Sequence, residues 1–257
     1  MTGGWSRGRL LAFDTETTGT DPEQARIVQY ALAWVGGGEA TEATEVLVDP
    51  GVEVPAEAAA VHGITTEQAR AEGVPVAQAL AEIVDAIAEA QRQSIPIVGH
   101  NLRYDLTVLA RECERHGVPG VDAVLGQPLA YVVDTLVLSK RADPYRKRVS
   151  AEQGAHTLKT CVQTWLSVPW DDEAAHGALY DALMSARVAY KLAGLRREIG
   201  AVTLTSLFDA QRAWAAEQAA SFQHWLRTKA PDERRDPNAV INPAWPVVPA
   251  AAKEPTP

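Results

Sequence analysis

The chain has 257 residues, 46% of them apolar, which allows one large domain, or one domain with an appendage, around a sizeable core. No apolar run approaches the roughly 20 residues of a membrane span, and the first nine residues lack the apolar stretch of a signal peptide. The two cysteines, Cys113 and Cys161, are too few for a zinc cluster and point to reduced thiols in a cytoplasmic protein, while a formal net charge of −9 argues against indiscriminate binding to nucleic acid.

Residues 9–14 predict a first strand buried on both faces, and the run ends abruptly in Asp14 and Glu16. Side chains on a strand repeat every two residues, so both carboxylates leave one face, roughly 7 Å apart along the chain. Like charges at the end of a buried strand are costly unless a cation sits between them. The pair reads as half of a divalent-metal site or as a solvated acidic turn. Residues 27–35 predict a second strand, Gly36 to Gly38 a turn, and residues 44–48 a third strand, which together make an antiparallel meander. Helices are expected over 57–61, 66–71 and 76–92. The last carries Leu80, Ile83, Val84 and Ile87 at helical spacing and should pack on the sheet.

Residues 95–98 predict a fourth strand, followed by a helix over 102–116 that Gly117 and Pro119 stop. Asp105 falls one turn into that helix, at a strand end, where open α/β sheets place their sites. A first-turn acid is also favoured by the helix dipole alone. Residues 131–133 predict a fifth strand leading through Asp134 into a short helix. A basic loop, a helix near 156–165 and a longer helix over 178–199 follow. His176 and Asp181 are five apart and would diverge by about 140° on one helix. Gly177 relieves this by leaving His176 in the preceding loop. The expected architecture is α/β with a mixed five-stranded sheet flanked by helices.

Lys140, Arg141, Arg146, Lys147 and Arg148 form one dense basic run, with Tyr145 inside it. Such a loop can hold the phosphates of a single strand while a tyrosine stacks on a base, or it can be a solvated loop without a partner. Past Gly200, Leu207, Ala210, Trp214, Phe222 and Trp225 fall near one helical face, expected to pack back on the domain. From Pro231 prolines recur and periodicity vanishes, so the tail is expected to be extended or disordered. The expected divisions are 1–8, an N-terminal extension; 9–199, the main domain; 200–230, a helical extension; and 231–257, the tail.

Phe13-Asp14-Thr15-Glu16-Thr17-Thr18-Gly19, Val61-His62-Gly63-Ile64-Thr65, Gly99-His100-Asn101-x-x-Tyr104-Asp105 and His176-x4-Asp181 resemble, in order and spacing, the motifs of the DEDDh 3′–5′ exonucleases. That group includes the proofreading epsilon subunit of bacterial replicative polymerases. The sister DEDDy branch would need tyrosine where this chain has Gly177. The resemblance covers residues 9–198 and implies a ribonuclease H-like fold and two Mg²⁺ or Mn²⁺ ions held by Asp14, Glu16, Asp105 and Asp181. It further implies His176 as the general base, Thr15 and Thr17 at the terminal nucleotide, and His62 and Asn101 in support. The implied activity is release of nucleoside 5′-monophosphates from a DNA 3′ end, single-stranded, and the implied partner is a DNA polymerase or other replication protein. An exoribonuclease resembling ribonuclease T or oligoribonuclease is the alternative. A non-catalytic nucleic-acid-binding adaptor is a third reading, disfavoured by the intact acid set.

Overall fold

A computed structural model describes residues 4–151, 153–172, 175 and 177–250. The first three strands, β1 (Arg9–Thr17), β2 (Ile27–Gly36) and β3 (Glu42–Asp49), form the antiparallel meander that their alternation and turn residues predict. Helices α1 (Ala56–His62) and α2 (Thr66–Glu72) lead to β4 (Val74–Pro75), α3 (Val76–Arg92) and β5 (Ile97–Gly99). Then come α4 (Leu102–His116), α5 (Val121–Leu125), β6 (Val132–Asp134) and α6 (Thr135–Ala142). The chain continues with α7 (Leu158–Cys161), α8 (Ala178–Leu195), α9 (Arg197–Gly200) and α10 (Leu204–Thr228).

The strands are ordered β4-β3-β2-β1-β5-β6, with β5 parallel to β1 and β6 parallel to β5. This is the mixed, helix-flanked sheet of a ribonuclease H-like fold. It has six strands where five were expected. The addition is β4, whose two residues pair in parallel with Val48 and Asp49, too short a piece to leave an alternating pattern. The helix expected near 156–165 is one α turn that widens into a π-helical segment over Val162–Leu166. The helix expected over 178–199 breaks at Arg196, whose backbone is extended.

Two apolar layers sandwich the sheet. Leu11 and Phe13 of β1 face Leu80, Ile83, Val84 and Ile87 of α3, all of them buried, while Leu10 and Ala12 face Ala182, Val188 and Leu192 of α8. Each fully buried aliphatic side chain of this kind stabilises by roughly 1.5–3 kcal/mol.

The ends of the chain are tied to this frame. Trp5 is buried and its indole N–H donates to the Ile199 carbonyl at 2.8 Å. The proline-containing tail, expected to be extended or disordered, is irregular with one 3-10 turn at Asp232–Arg234, and is packed against the domain over its described part. Arg103 donates to the carbonyls of Ala244 and Asn242 at 2.7 and 3.0 Å, and Arg111 to that of Val248 at 2.8 Å. Trp245 is only 5% exposed and its indole N–H reaches Asp134 at 3.3 Å. Periodicity does not announce this because the tail's backbone is held by side chains of α4 and α10 rather than by a helix of its own or a strand. Residues 251–257 lie outside the described part. Among the described residues no helix is long and apolar enough to cross a membrane.

Candidate active site

The parity of β1 decides which side each polar residue takes. Asp14 and Glu16 continue the row of Leu10 and Ala12 toward α8, whereas Thr15 continues the row of Leu11 and Phe13 toward α4. Opposite the first row, α8 presents Asp181 in its first turn. One carboxylate oxygen from each of Asp14, Glu16 and Asp181 lies within 4.8 Å of the others.

α8 is aimed at this point by side chains of the sheet. Its opening N–H groups have no partner within the helix. Ala178 N–H instead donates to Gln29 Oε1 at 3.2 Å and Leu179 N–H to Glu45 Oε1 at 2.8 Å. Gln29 stands directly across from Glu16 on β2, so the cap and the acid share one register.

Asp105 approaches from the other face. Its Oδ1 accepts from the Thr15 hydroxyl at 2.7 Å and the Thr15 N–H at 3.2 Å. It therefore sits behind the strand that carries the other acids, bonded to Thr15 and not within the three-carboxylate group. The turn before it is tightly specified. A Cβ on Gly99 would come within 2.6 Å of the Phe13 carbonyl, so only glycine lets β5 lie this close to β1. Asn101 is left-handed (φ 68°), which asparagine tolerates, and its N–H donates to Asp134 at 3.0 Å. Next to Asp105, the Tyr104 hydroxyl pairs with the Thr17 hydroxyl at 2.6 Å and donates to the Gly19 carbonyl, fixing the turn after β1.

The electrostatics of the group are those of an acidic site built for a cation. Burial, and then the charges of Asp105, Asp181 and Glu16, raise the Asp14 carboxyl well above its ordinary value. Burial and the charges of Asp181, Asp105 and Glu45 push Glu16 to about 8. Burial pushes Asp105 to about 7 against the opposing pull of its Thr15 hydrogen bonds. Carboxylates gathered where ionisation is this unfavourable fit a divalent cation, and a donor set made only of oxygens suits hard Mg²⁺ or Mn²⁺ over zinc.

The remaining predicted residues divide. His176, expected as the general base, lies outside the described residues. His62 closes α1 ahead of left-handed Gly63, and its Nδ1 accepts the Ile64 N–H at 3.2 Å, a use within the fold. The basic run does not project as one. Arg146 is turned inward over the Trp165 ring at 4.5 Å and pairs with Asp143 at 3.1 Å, and Arg141 lies over Trp214 at 5.2 Å. Tyr145 is 90% exposed, and Lys147 and Arg148 are exposed too, whereas Lys140 is half-buried.

Residues 11–189 match the family model RNase_T, described as exonuclease, over more than half of the chain. The chain belongs to the RNase_T exonuclease family. Among curated members, it is 30% identical over 207 residues to a DNA polymerase III subunit epsilon-like protein of Rhodobacter capsulatus. That alignment covers 79% of this chain and 26% of the relative. It is 27% identical over 177 residues to a PolC-type DNA polymerase III of Streptococcus agalactiae, covering 69% of this chain and 11% of that one. The chain thus spans a minor part of the exonuclease-family relatives it matches. Its fold is that of exonuclease I. The enzyme from Methylocaldum szegediense superposes with a TM-score of 0.59 at 22% identity, over 87% of this chain and 46% of the other. Escherichia coli exonuclease I in complex with an oligonucleotide gives 0.58 at 19% identity, over 87% and 47%.

Sequence reasoning missed Gln29 and Glu45 as the caps of α8. Gln29 did leave a signal, as a polar residue inside the apolar stretch Ile27-Val28-Gln29-Tyr30. In the sequence Asp134 reads only as the link between the fifth strand and a short helix. It is almost fully buried and holds Asn101, the start of α6 and Trp245 together.

Proposed function

We propose that this exonuclease-family chain is a divalent-metal-dependent 3′–5′ exonuclease acting on DNA, preferring single strands and releasing nucleoside 5′-monophosphates. The observation that carries the reading is the meeting of Asp14 and Glu16, from the central strand, with Asp181, from the first turn of α8. Those three residues would hold Mg²⁺ or Mn²⁺, with Asp105 completing the set for a second ion once turned from Thr15. The ions supply Lewis-acid neutralisation of charge on the phosphodiester.

The chain's own groups supply the rest. The imidazole of His176 accepts the proton of the attacking water, a task suited to a base with an ordinary pKa near 6.5. Backbone and hydroxyl groups of Thr15 and Thr17 orient the terminal nucleotide, with Asn101 beside them and His62 supporting the neighbouring loop. Lys140, Tyr145, Lys147 and Arg148 are the residues of the basic run that would meet the strand. Arg141 would act mainly by tying α6 to Trp214, and Arg146 by fixing the loop on Trp165. Residues 9–199 form the exonuclease domain, with 1–8 as an N-terminal extension and 200–230 and the tail as additions to it.

Similarity to polymerase III proteins and to oligonucleotide-bound exonuclease I supports DNA as substrate and a place beside a replicative polymerase. Matched 5′-labelled DNA and RNA oligonucleotides, incubated with Mg²⁺ or with EDTA, test the reading. A metal-dependent ladder shortening from the 3′ end on DNA is expected, absent in Asp14→Ala. Faster shortening of RNA would replace DNA by RNA, and no shortening of either would remove the enzymatic reading. Co-elution with a replicative polymerase on gel filtration tests the partner.

A further inference from the structure

A groove of about 1010 Å³ opens beside His100 and Asn101, the residues that lead into α4 and its Asp105, and runs between α10 and the end of α6 with the loop after it. Its walls carry Lys140 and Arg148 on one side and Phe222, Trp225 and Arg234 on the other. No carboxylate is among its described lining residues, in a chain whose formal net charge is −9. Phe222 and Trp225 stand three apart on α10, with rings near-parallel at 14° and centroids 5.9 Å apart. Phe222 is 45% exposed, and the Arg234 guanidinium lies over the Trp225 ring at 5.1 Å. The α10 wall lies wholly beyond residue 189, where the match to the exonuclease family ends.

A leucine-lined cleft would suit an apolar helix, and a purely cationic one any polyanion. Cations flanking a two-ring step suit a chain of phosphates with planar bases, because aromatic faces accept any base while the guanidinium and ammonium groups hold the backbone. The groove shares Asn101 with the predicted substrate residues, and its volume is at the upper end for a small-molecule pocket. From these observations we propose that α10 and the loop after α6 form a single-strand groove. In it the nucleotides upstream of the scissile one stack on Phe222 and Trp225, and their phosphates meet Lys140, Arg148 and Arg234. The inference rests on the nuclease reading above and adds to it a substrate-length dependence supplied by the C-terminal helix.

The test uses dT3 and dT12 with hydrolysis-resistant phosphorothioate 3′ linkages, fluorescein-labelled at the 5′ end, in Mg²⁺, with affinity read by anisotropy. Wild type should bind dT12 at least about tenfold more tightly than dT3. Phe222→Ala with Trp225→Ala should weaken dT12 binding by about 30-fold or more, since each lost base stack costs about fivefold or more. Phe222→Ala alone, at a half-exposed position, guards against unfolding and should cost about fivefold or more. Arg148→Gln with Arg234→Gln should lower the slope of log affinity against log salt by about 1.4 for a single strand. Length-dependent binding that these variants abolish supports the groove even if unmodified DNA is not cleaved, an outcome that would sink only the nuclease reading. A dT12 affinity unchanged within twofold in all variants overturns the groove, whether or not DNA is cleaved, and leaves its cationic walls to an acidic polypeptide.

Discussion

Glu16 gives the acidic group a stability signature that needs no substrate. Its carboxyl is raised from 4.5 to about 8, chiefly by burial and then by Asp181, Asp105 and Glu45. Between those two values the folded chain keeps a proton at Glu16 that the unfolded chain releases. The metal-free protein is therefore stabilised less and less as pH rises from 4.5 to about 8. A pKa displacement of one is worth about 1.4 kcal/mol, which caps the effect at about 5 kcal/mol. Partial exposure of the side chain reduces the expectation to about 2–3 kcal/mol. Glu16→Gln keeps the shape and removes the titration. In EDTA, urea unfolding should show the variant within about 1 kcal/mol of wild type at pH 5 and about 2–3 kcal/mol more stable at pH 9. Mn²⁺ should then reverse the ranking at pH 9, because the ion binds only the folded state and wild type offers it one more carboxylate. A stability difference that stays flat from pH 5 to pH 9, or an equal Mn²⁺ response in both proteins, would refute this account of the group.

Asp14→Ala should abolish the Mn²⁺-dependent rise in Tm and lower exonuclease turnover by at least about 10²–10³-fold, measured by calorimetry and a gel assay. His176→Ala should keep the Mn²⁺ response yet lose most turnover; near-normal rates would remove its assignment as base. Trp245→Ala should destabilise by about 3–5 kcal/mol in urea melts, since the indole is buried against Phe208 and bonded to Asp134. A change below about 0.5 kcal/mol would show the tail to be ornamental to the fold. Glu112 is fully buried, accepts the Ile27 N–H at 3.3 Å and pairs with Arg115 and Arg26, so Glu112→Ala should cost about 3–5 kcal/mol.

What the sequence disclosed followed from repeats that belong to one element at a time. The alternation of Leu10 to Glu16 showed which carboxylates share a face, and the spacing of Leu80, Ile83, Val84 and Ile87 showed which side of α3 meets the sheet. The helix expected over 102–116 has those bounds in the structure because Gly117, left-handed at φ 66°, is a stop visible in the chain itself. What stayed hidden depends on pairs far apart. Nothing near Asp134 announces Trp245, 111 residues away, and nothing near Ala178 announces Gln29. Arg146 reads as a substrate cation until Trp165 and Asp143 are seen to claim it. The acid set was legible as chemistry, but the seat of Asp105 on Thr15, behind the strand, required the fold.

The acids come from places that open on different timescales. β1 lies between an antiparallel and a parallel neighbour near the middle of the sheet, so its amides should exchange with solvent only when the whole domain unfolds. Asp181 instead occupies the first turn of α8, whose end is held by two side-chain caps, and helix ends fray at far lower cost. A cation seated among these residues would thus have a fixed floor and a hinged wall. Its release would be timed by fraying at Ala178 and Leu179, and deuterium uptake there should slow on cation binding while that of Leu11 to Phe13 stays as it was.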